Sequence, residues 1–249
     1  MLKFGIIAEG PTDQTVIENI LLGFFEDHED SPEIRFIQPL RTLKETPAGW
    51  GHVFKCLERK DHEGALQYND YLVIHIDTDV QEEPGFNVAK REGGKELSVS
   101  DRVDRVIARL KQDIDEGFYQ ANAHRILFAI AVDMIECWLL PLLYSDEKAT
   151  KITGCLESAN RSLRRANQNA LSAGPNKFIH AYERASSGYR KRKTLIELHN
   201  NPSLDLFIKQ LDTLRKGLTD NHSAAAQEHD TAAAAAFPPQ ESTAGDQPG

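Results

Sequence analysis

Apolar positions along this chain fall into short unbroken runs, separated by stretches where they recur every three or four residues. Lys3–Ala8, Ile34–Leu40, Tyr71–Asp79 and Arg125–Val132 are the runs. Without polar alternation and rich in β-branched residues, they read as strands buried on both faces, as in a parallel sheet. Val16, Ile17, Ile20, Leu21, Phe24 and Phe25 share one helical face after the first run. A short helix is predicted from about His52 to Lys60. A longer one runs through Glu116 with Ser100 as its N-cap, turning Val103, Val106, Ile107, Leu110 and Ile114 inward. Strand and helix alternate at the length of crossover units, so the fold class is α/β with a mostly parallel sheet and helices on both faces.

Residues 80–98 break the rhythm with Pro, paired Gly and many charges, and read as a mobile loop. Glu136 opens an apolar helix that Pro141 interrupts or ends. From Thr153 the pattern is helical, with segments near 155–172, 176–187 and 203–216, the last preceded by a break and cap at Asn201-Pro-Ser203. Beyond about 220 the chain is rich in Ala, Pro, Gln and Ser and reads as disordered. The expected organisation is therefore an α/β domain over 1–150, a basic helical subdomain over 151–220 and a disordered tail over 221–249.

Charge sharpens this division. The net charge of −9 conceals 16 basic against 28 acidic residues in 1–150 and 13 basic against 6 acidic in 151–220. An acidic front suits a cation, and a basic segment suits a polyanion. The apolar stretches are too short and too interrupted for a membrane span, and Met1-Leu-Lys-Phe lacks signal-peptide architecture. Cys56, Cys137 and Cys155 are odd in number and widely spaced. That pattern argues against a disulfide framework or a zinc site and for a reducing, cytoplasmic location.

The candidate chemistry sits at strand ends. Asp77 and Asp79, one residue apart, point the same way along a strand, roughly 7 Å apart. Glu9 follows the first strand, and Asp133 and Glu136 follow the fourth. In a parallel sheet all these ends share one edge, where ligands gather. Converging carboxylates repel one another unless a cation lies between them, and Mg²⁺ prefers such ligands. The bland alternative is solvated acids at loop exits. Asp13 likewise has two readings, as the cap of its helix or as a further acid of the site. His75, inside its strand, reads as a core histidine rather than a ligand. Trp50 and Trp138 read as core, and Cys137 as packed rather than nucleophilic.

A strand followed by Glu9-Gly10-Pro11-Thr12-Asp13, and later a strand ending Asp77-Thr78-Asp79, resembles the Toprim domain of topoisomerases, primases and OLD-family nucleases. Asp133-Met-Ile-Glu136-Cys-Trp-Leu-Leu is similar to a segment of stand-alone Toprim-like proteins of bacterial defence islands, often found near an ATPase. The likeness covers residues 3–145, and more weakly the helical region to about 215. It implies a Toprim/Rossmann-like fold with Glu9 as general acid/base or metal-linked carboxylate and Asp77 and Asp79 as the metal pair. Asp13 and Glu136 would be further ligands of one or two Mg²⁺ ions, with Mn²⁺ as a substitute. Gly10 would let the backbone turn beside a phosphate. The topoisomerase companion domains and the primase zinc cysteines are missing, so strand passage and priming are not implied. The chain has no phosphate-binding Walker motif, so any ATPase activity belongs to a partner.

Arg161, Arg164 and Arg165 share a helix face, and Arg190-Lys191-Arg192-Lys193 form a basic run with Tyr182 and Tyr189 nearby. They are the candidate nucleic-acid-binding residues, with the tyrosines as stacking groups; a solvated or protein-docking face is the alternative. The leading expectation is a Mg²⁺-dependent nuclease, with the resemblance adding an anti-phage effector role. The competing ones are a non-catalytic module that binds nucleic acid or a partner, and a phosphohydrolase or phosphotransferase acting on free nucleotides.

Overall fold

A computed structural model describes residues 1–27, 31–41, 48–172 and 178–236, with side chains described to Thr219. Four strands, β1 (Lys3–Ile7), β2 (Glu33–Gln38), β3 (Tyr71–Asp77) and β6 (Ile126–Ala131), form an all-parallel sheet in the order β2-β1-β3-β6. A small antiparallel hairpin, β4 (Arg91–Glu92) and β5 (Lys95–Glu96), lies in the excursion after β3. The helices are α1 (Pro11–Phe24), α2 (Trp50–Glu58), α3 (Asp61–Tyr68), α4 (Val99–Lys111), α5 (Glu116–Asn122), α6 (Leu140–Leu143), α7 (Cys155–Arg165), α8 (Ile179–Ser186), α9 (Arg192–Glu197) and α10 (Pro202–Ala236).

Alternation along β3 decides what each face holds. Leu72, Ile74 and Ile76 pack with Val53, Leu57, Val103, Val106 and Leu110 of α2 and α4. Val73, His75 and Asp77 necessarily face the other way, toward the layer containing α1 and Trp138. The α/β expectation, with helices on both faces, is what the fold displays.

Local chemistry moved several boundaries. Ser98, not Ser100, caps α4, because its side chain accepts from the Asp101 amide. The helix stops at Lys111, and Asp115 caps a separate α5. No side chain caps α1; Gly10 is its N-cap residue and Pro11 opens it, so Asp13 is not the cap. Gly10 itself is extended, and its missing Cβ matters for space, since one would lie 3.0 Å from Asp13 Oδ2. The 80–98 excursion is anchored by buried Gln81, Phe86 and Val88, with Phe86 against Trp50 and Phe54. After β6 the chain turns through a 3₁₀ segment, Ile135–Leu139, before α6 takes Pro141 in its first turn. Asn201 caps α10, accepting from the amides of Ser203 and Leu204.

The cysteine expectation is corrected. Cys137 and Cys155 form a disulfide, because the turn after β6 packs against the first residue of α7. Sequence spacing cannot register that contact, and the pairing removes the cysteine argument for a reducing compartment.

Two compact units divide the chain, Met1–Leu211 and Asp212–Gly249. In the second, the backbone is helical through Ala236, into the stretch whose composition marks it as disordered. Alanine, the residue with the highest helix propensity, dominates there. The rest of the expected tail, 237–249, lies outside the described residues.

His62 of α3 is fully buried against the edge of Phe118, and among the described residues neither ring nitrogen has a hydrogen-bond partner. Burial lowers its pKa from 6.5, so the unfolded chain binds the proton more tightly and stability falls as pH drops below that value. His62→Leu is expected to stabilise the fold by about 1 to 3 kcal/mol at neutral pH. The gain should grow at pH 5, as read by urea denaturation at both pH values.

Candidate metal centre

The C-terminal edge of the sheet gathers carboxylates from three strand exits. Glu9, just past β1, is half-buried, and its Oε1 accepts the Asp77 amide at 2.8 Å, locking the two exits together. Asp77 ends β3 and is buried, as is Asp13 in the first turn of α1. Glu136 is carried by the turn after β6 and is also buried. Ligand atoms of Asp13, His75 and Asp77 all lie within 4.8 Å of one another.

These charges are felt in the titration of the group. Burial first, then Asp13 and Glu136, push the Asp77 carboxyl up to about 7 against the opposing pull of His75. Burial, Asp77 and Asp13 hold Glu9 well above the carboxylate range. For His75, burial acts to lower the pKa, but Asp77 outweighs it and the net shift is upward.

His75 is more than the packed core residue expected. Its Nδ1 lies 2.6 Å from the Ala129 carbonyl, which places the proton there and turns Nε2 toward Asp77 Oδ1 at 3.3 Å. Asp77 Oδ1 is buried, with His75 Nε2 as its partner across 3.3 Å. A buried carboxylate oxygen beside an imidazole and a second buried aspartate fits a hard divalent cation such as Mg²⁺ or Mn²⁺.

Asp79 stands apart from this cluster, exposed at the rim, where its charge raises the pKa of Glu9 and of Asp133. Its own carboxylate caps the following turn by accepting the Val80 amide, and Lys90 Nζ donates to its carbonyl at 2.5 Å. Thr78, between the two aspartates, is gripped from α4. Its hydroxyl accepts from Arg102 and from the Asp133 amide, each at 2.9 Å. Asp133 sits at φ 70, a sparsely populated conformation for a non-glycine residue, at the exit of β6.

The basic residues divide into two sets. Arg161 pairs with Glu157; Arg190 donates to Asn19 and approaches Glu183; Arg192 donates to the Phe24 carbonyl and pairs with Asp27. The last two clamp the helical segment to α1. Arg164, Arg165, Lys191 and Lys193 are exposed. Tyr182 and Tyr189 are not the stacking groups expected, since both rings are fully buried. Tyr189 donates to the Trp138 carbonyl, and Tyr182 donates to Glu136 Oε1. Their proximity to a basic run had suggested exposure, whereas the packing of α8 and the following turn onto α1 encloses them.

Among the described residues no helix is long and apolar enough to cross a membrane. Comparison with family models, with curated proteins and with solved structures gave no match.

Proposed function

We propose that this chain is a Mg²⁺-dependent nuclease of Toprim type, cleaving phosphodiester bonds at the carboxylate edge of its sheet. The observation that carries the reading is the convergence of Glu9, Asp13, Asp77 and Glu136 from separate segments, with Asp77 and Glu9 both pushed upward. A bound cation would relieve both the burial and the mutual repulsion of these carboxylates. One or two ions bound there would activate water, polarise the phosphate and absorb charge on the leaving oxygen. Asp77, Asp13 and Glu136 would hold the ion, with Asp79 reaching from the rim. Glu9, which bridges the β1 and β3 exits, would move the proton. Exposed Arg164, Arg165, Lys191 and Lys193 would hold the polyanion backbone, an affinity that falls with salt. An anti-phage role with a separate ATPase partner rests on the resemblance of the Glu9–Asp13, Asp77–Asp79 and Asp133–Leu140 motifs.

The test is cleavage of plasmid, single-stranded DNA and tRNA by wild type and Glu9→Ala in Mg²⁺, Mn²⁺ or EDTA. Metal-dependent cleavage lowered about 100-fold in Glu9→Ala is expected, the scale of a lost acid/base group. Metal binding without cleavage of any substrate would instead favour the non-catalytic module. Failure to bind Mn²⁺ would remove the metal-centre reading.

A further inference from the structure

Tyr182 reaches the metal centre from the helical segment, 46 residues beyond Glu136. Its ring is fully enclosed, and its hydroxyl faces two acceptors, Glu136 Oε1 and the Ser172 carbonyl at 3.2 Å.

The backbone behind the ring is tied to the helix that carries Asp13. Ser186 Oγ donates to the Tyr182 carbonyl and accepts from Asn19 Nδ2, both at 2.7 Å. Asn19 Oδ1 in turn accepts from Arg190 Nε at 2.5 Å. The α1–α8 packing thus delivers Asp13 from one helix and the Tyr182 hydroxyl from the other to the same group of carboxylates.

We propose that Tyr182 is a positioning residue of the metal centre, its O–H fixing the rotation of the Glu136 carboxylate so that Glu136 presents an oxygen to the ion. The inference rests on the metal-centre reading and deepens it. The helical segment becomes part of the site rather than an appendage that only holds nucleic acid. A carboxylate ligand on a flexible side chain loses freedom on binding, and a partner holding one oxygen removes that cost beforehand.

Mn²⁺ titration by calorimetry tests this on the full chain as wild type, Tyr182→Phe, Glu136→Ala and the double variant. Tyr182→Phe keeps the buried ring and deletes one hydroxyl, and thermal melting checks that it folds. It is expected to weaken Mn²⁺ binding by about 10- to 100-fold, the effect of losing a ligand's supporting hydrogen bond. The double variant should bind no more weakly than Glu136→Ala alone, because Tyr182 then has nothing to orient. The electron paramagnetic resonance line shape of bound Mn²⁺ should differ between wild type and Tyr182→Phe. Unchanged affinity in Tyr182→Phe, or a loss that adds in full to that of Glu136→Ala, overturns the positioning role and leaves the metal centre standing. A wild type that binds no Mn²⁺ overturns the metal centre and this inference with it.

Discussion

Asp77→Asn is expected to abolish Mn²⁺ binding and, in the metal-free protein, to raise the melting temperature at pH 8 while changing it little at pH 4. The wild-type carboxyl titrates at about 7 in the fold, against 3.8 for an ordinary aspartate. Between those values the folded state holds a proton that the unfolded state has released. Stability therefore falls as pH rises through this window and levels off above it. His75 acts in the same direction, since its raised pKa means that stability is lost as pH rises through the folded value. Asparagine removes the charge that Asp13 and Glu136 oppose, so the variant should have a shallower slope, keeping the part that the burial of Glu9 contributes. His62 contributes a slope of opposite sign, which is common to both proteins and cancels in the comparison. A bound divalent cation reverses the wild-type penalty at pH 8, adding about 2.7 kcal/mol at a hundredfold excess over Kd. Asp77→Asn should gain nothing from the metal. Thermal melts at both pH values with and without Mn²⁺ read all four quantities. A wild-type melting temperature that rises from pH 4 to pH 8 by more than that of the variant would contradict the account.

The same physics explains which parts of the site were legible from the residues alone. The strand-end acids could be read because strand identity is local. An unbroken apolar run specifies a buried parallel strand, and parallel strands end on a common edge. Asp77 is the last residue of its strand, and Glu9 and Glu136 lie two and five residues beyond theirs. His75 illustrates the limit of that reasoning. Its position in phase with Asp77 was visible, but its role depends on the Ala129 carbonyl across the β3–β6 pair. A histidine two residues before Asp77, on the same face of the strand, was the available signal. Tyr182 gave less warning, because its partner Glu136 is reached only through the packing of α8 on α1. The Cys137–Cys155 bond is of the same kind, set by where the turn after β6 meets α7. Arg190 and Arg192 read as a basic run, yet they spend their donors on Asn19 and on the Phe24 carbonyl. A charge run in sequence carries no information about which of its members the fold will employ.

Gly23→Ala bears on the packing that brings those distant groups together. Gly23 lies in the last turn of α1, where a Cβ would fall 1.8 Å from the Tyr189 carbonyl oxygen and 2.8 Å from the Arg190 carbonyl carbon. Both neighbours are backbone, so no rotamer change relieves the overlap, and α1 must separate from the Ser187–Arg190 turn. That turn is held by the Tyr189 hydroxyl on the Trp138 carbonyl and by Arg190 on Asn19. Separation would break bonds on both sides of the buried ring. The expected cost is about 3 kcal/mol, the upper end for overpacking, or roughly 6 to 12 °C in melting temperature for a domain of this size. If the fold survives, Tyr182 moves with α8, and Mn²⁺ binding should weaken as in Tyr182→Phe. Gly64→Ala supplies the contrast. Gly64 lies within α3 with open space where its Cβ would be, so the same substitution should stabilise by about 0.5 to 1 kcal/mol. Urea denaturation of the two variants must therefore shift in opposite directions. Equal or like-signed shifts would mean that α1 does not meet the Tyr189 backbone as closely as this packing requires.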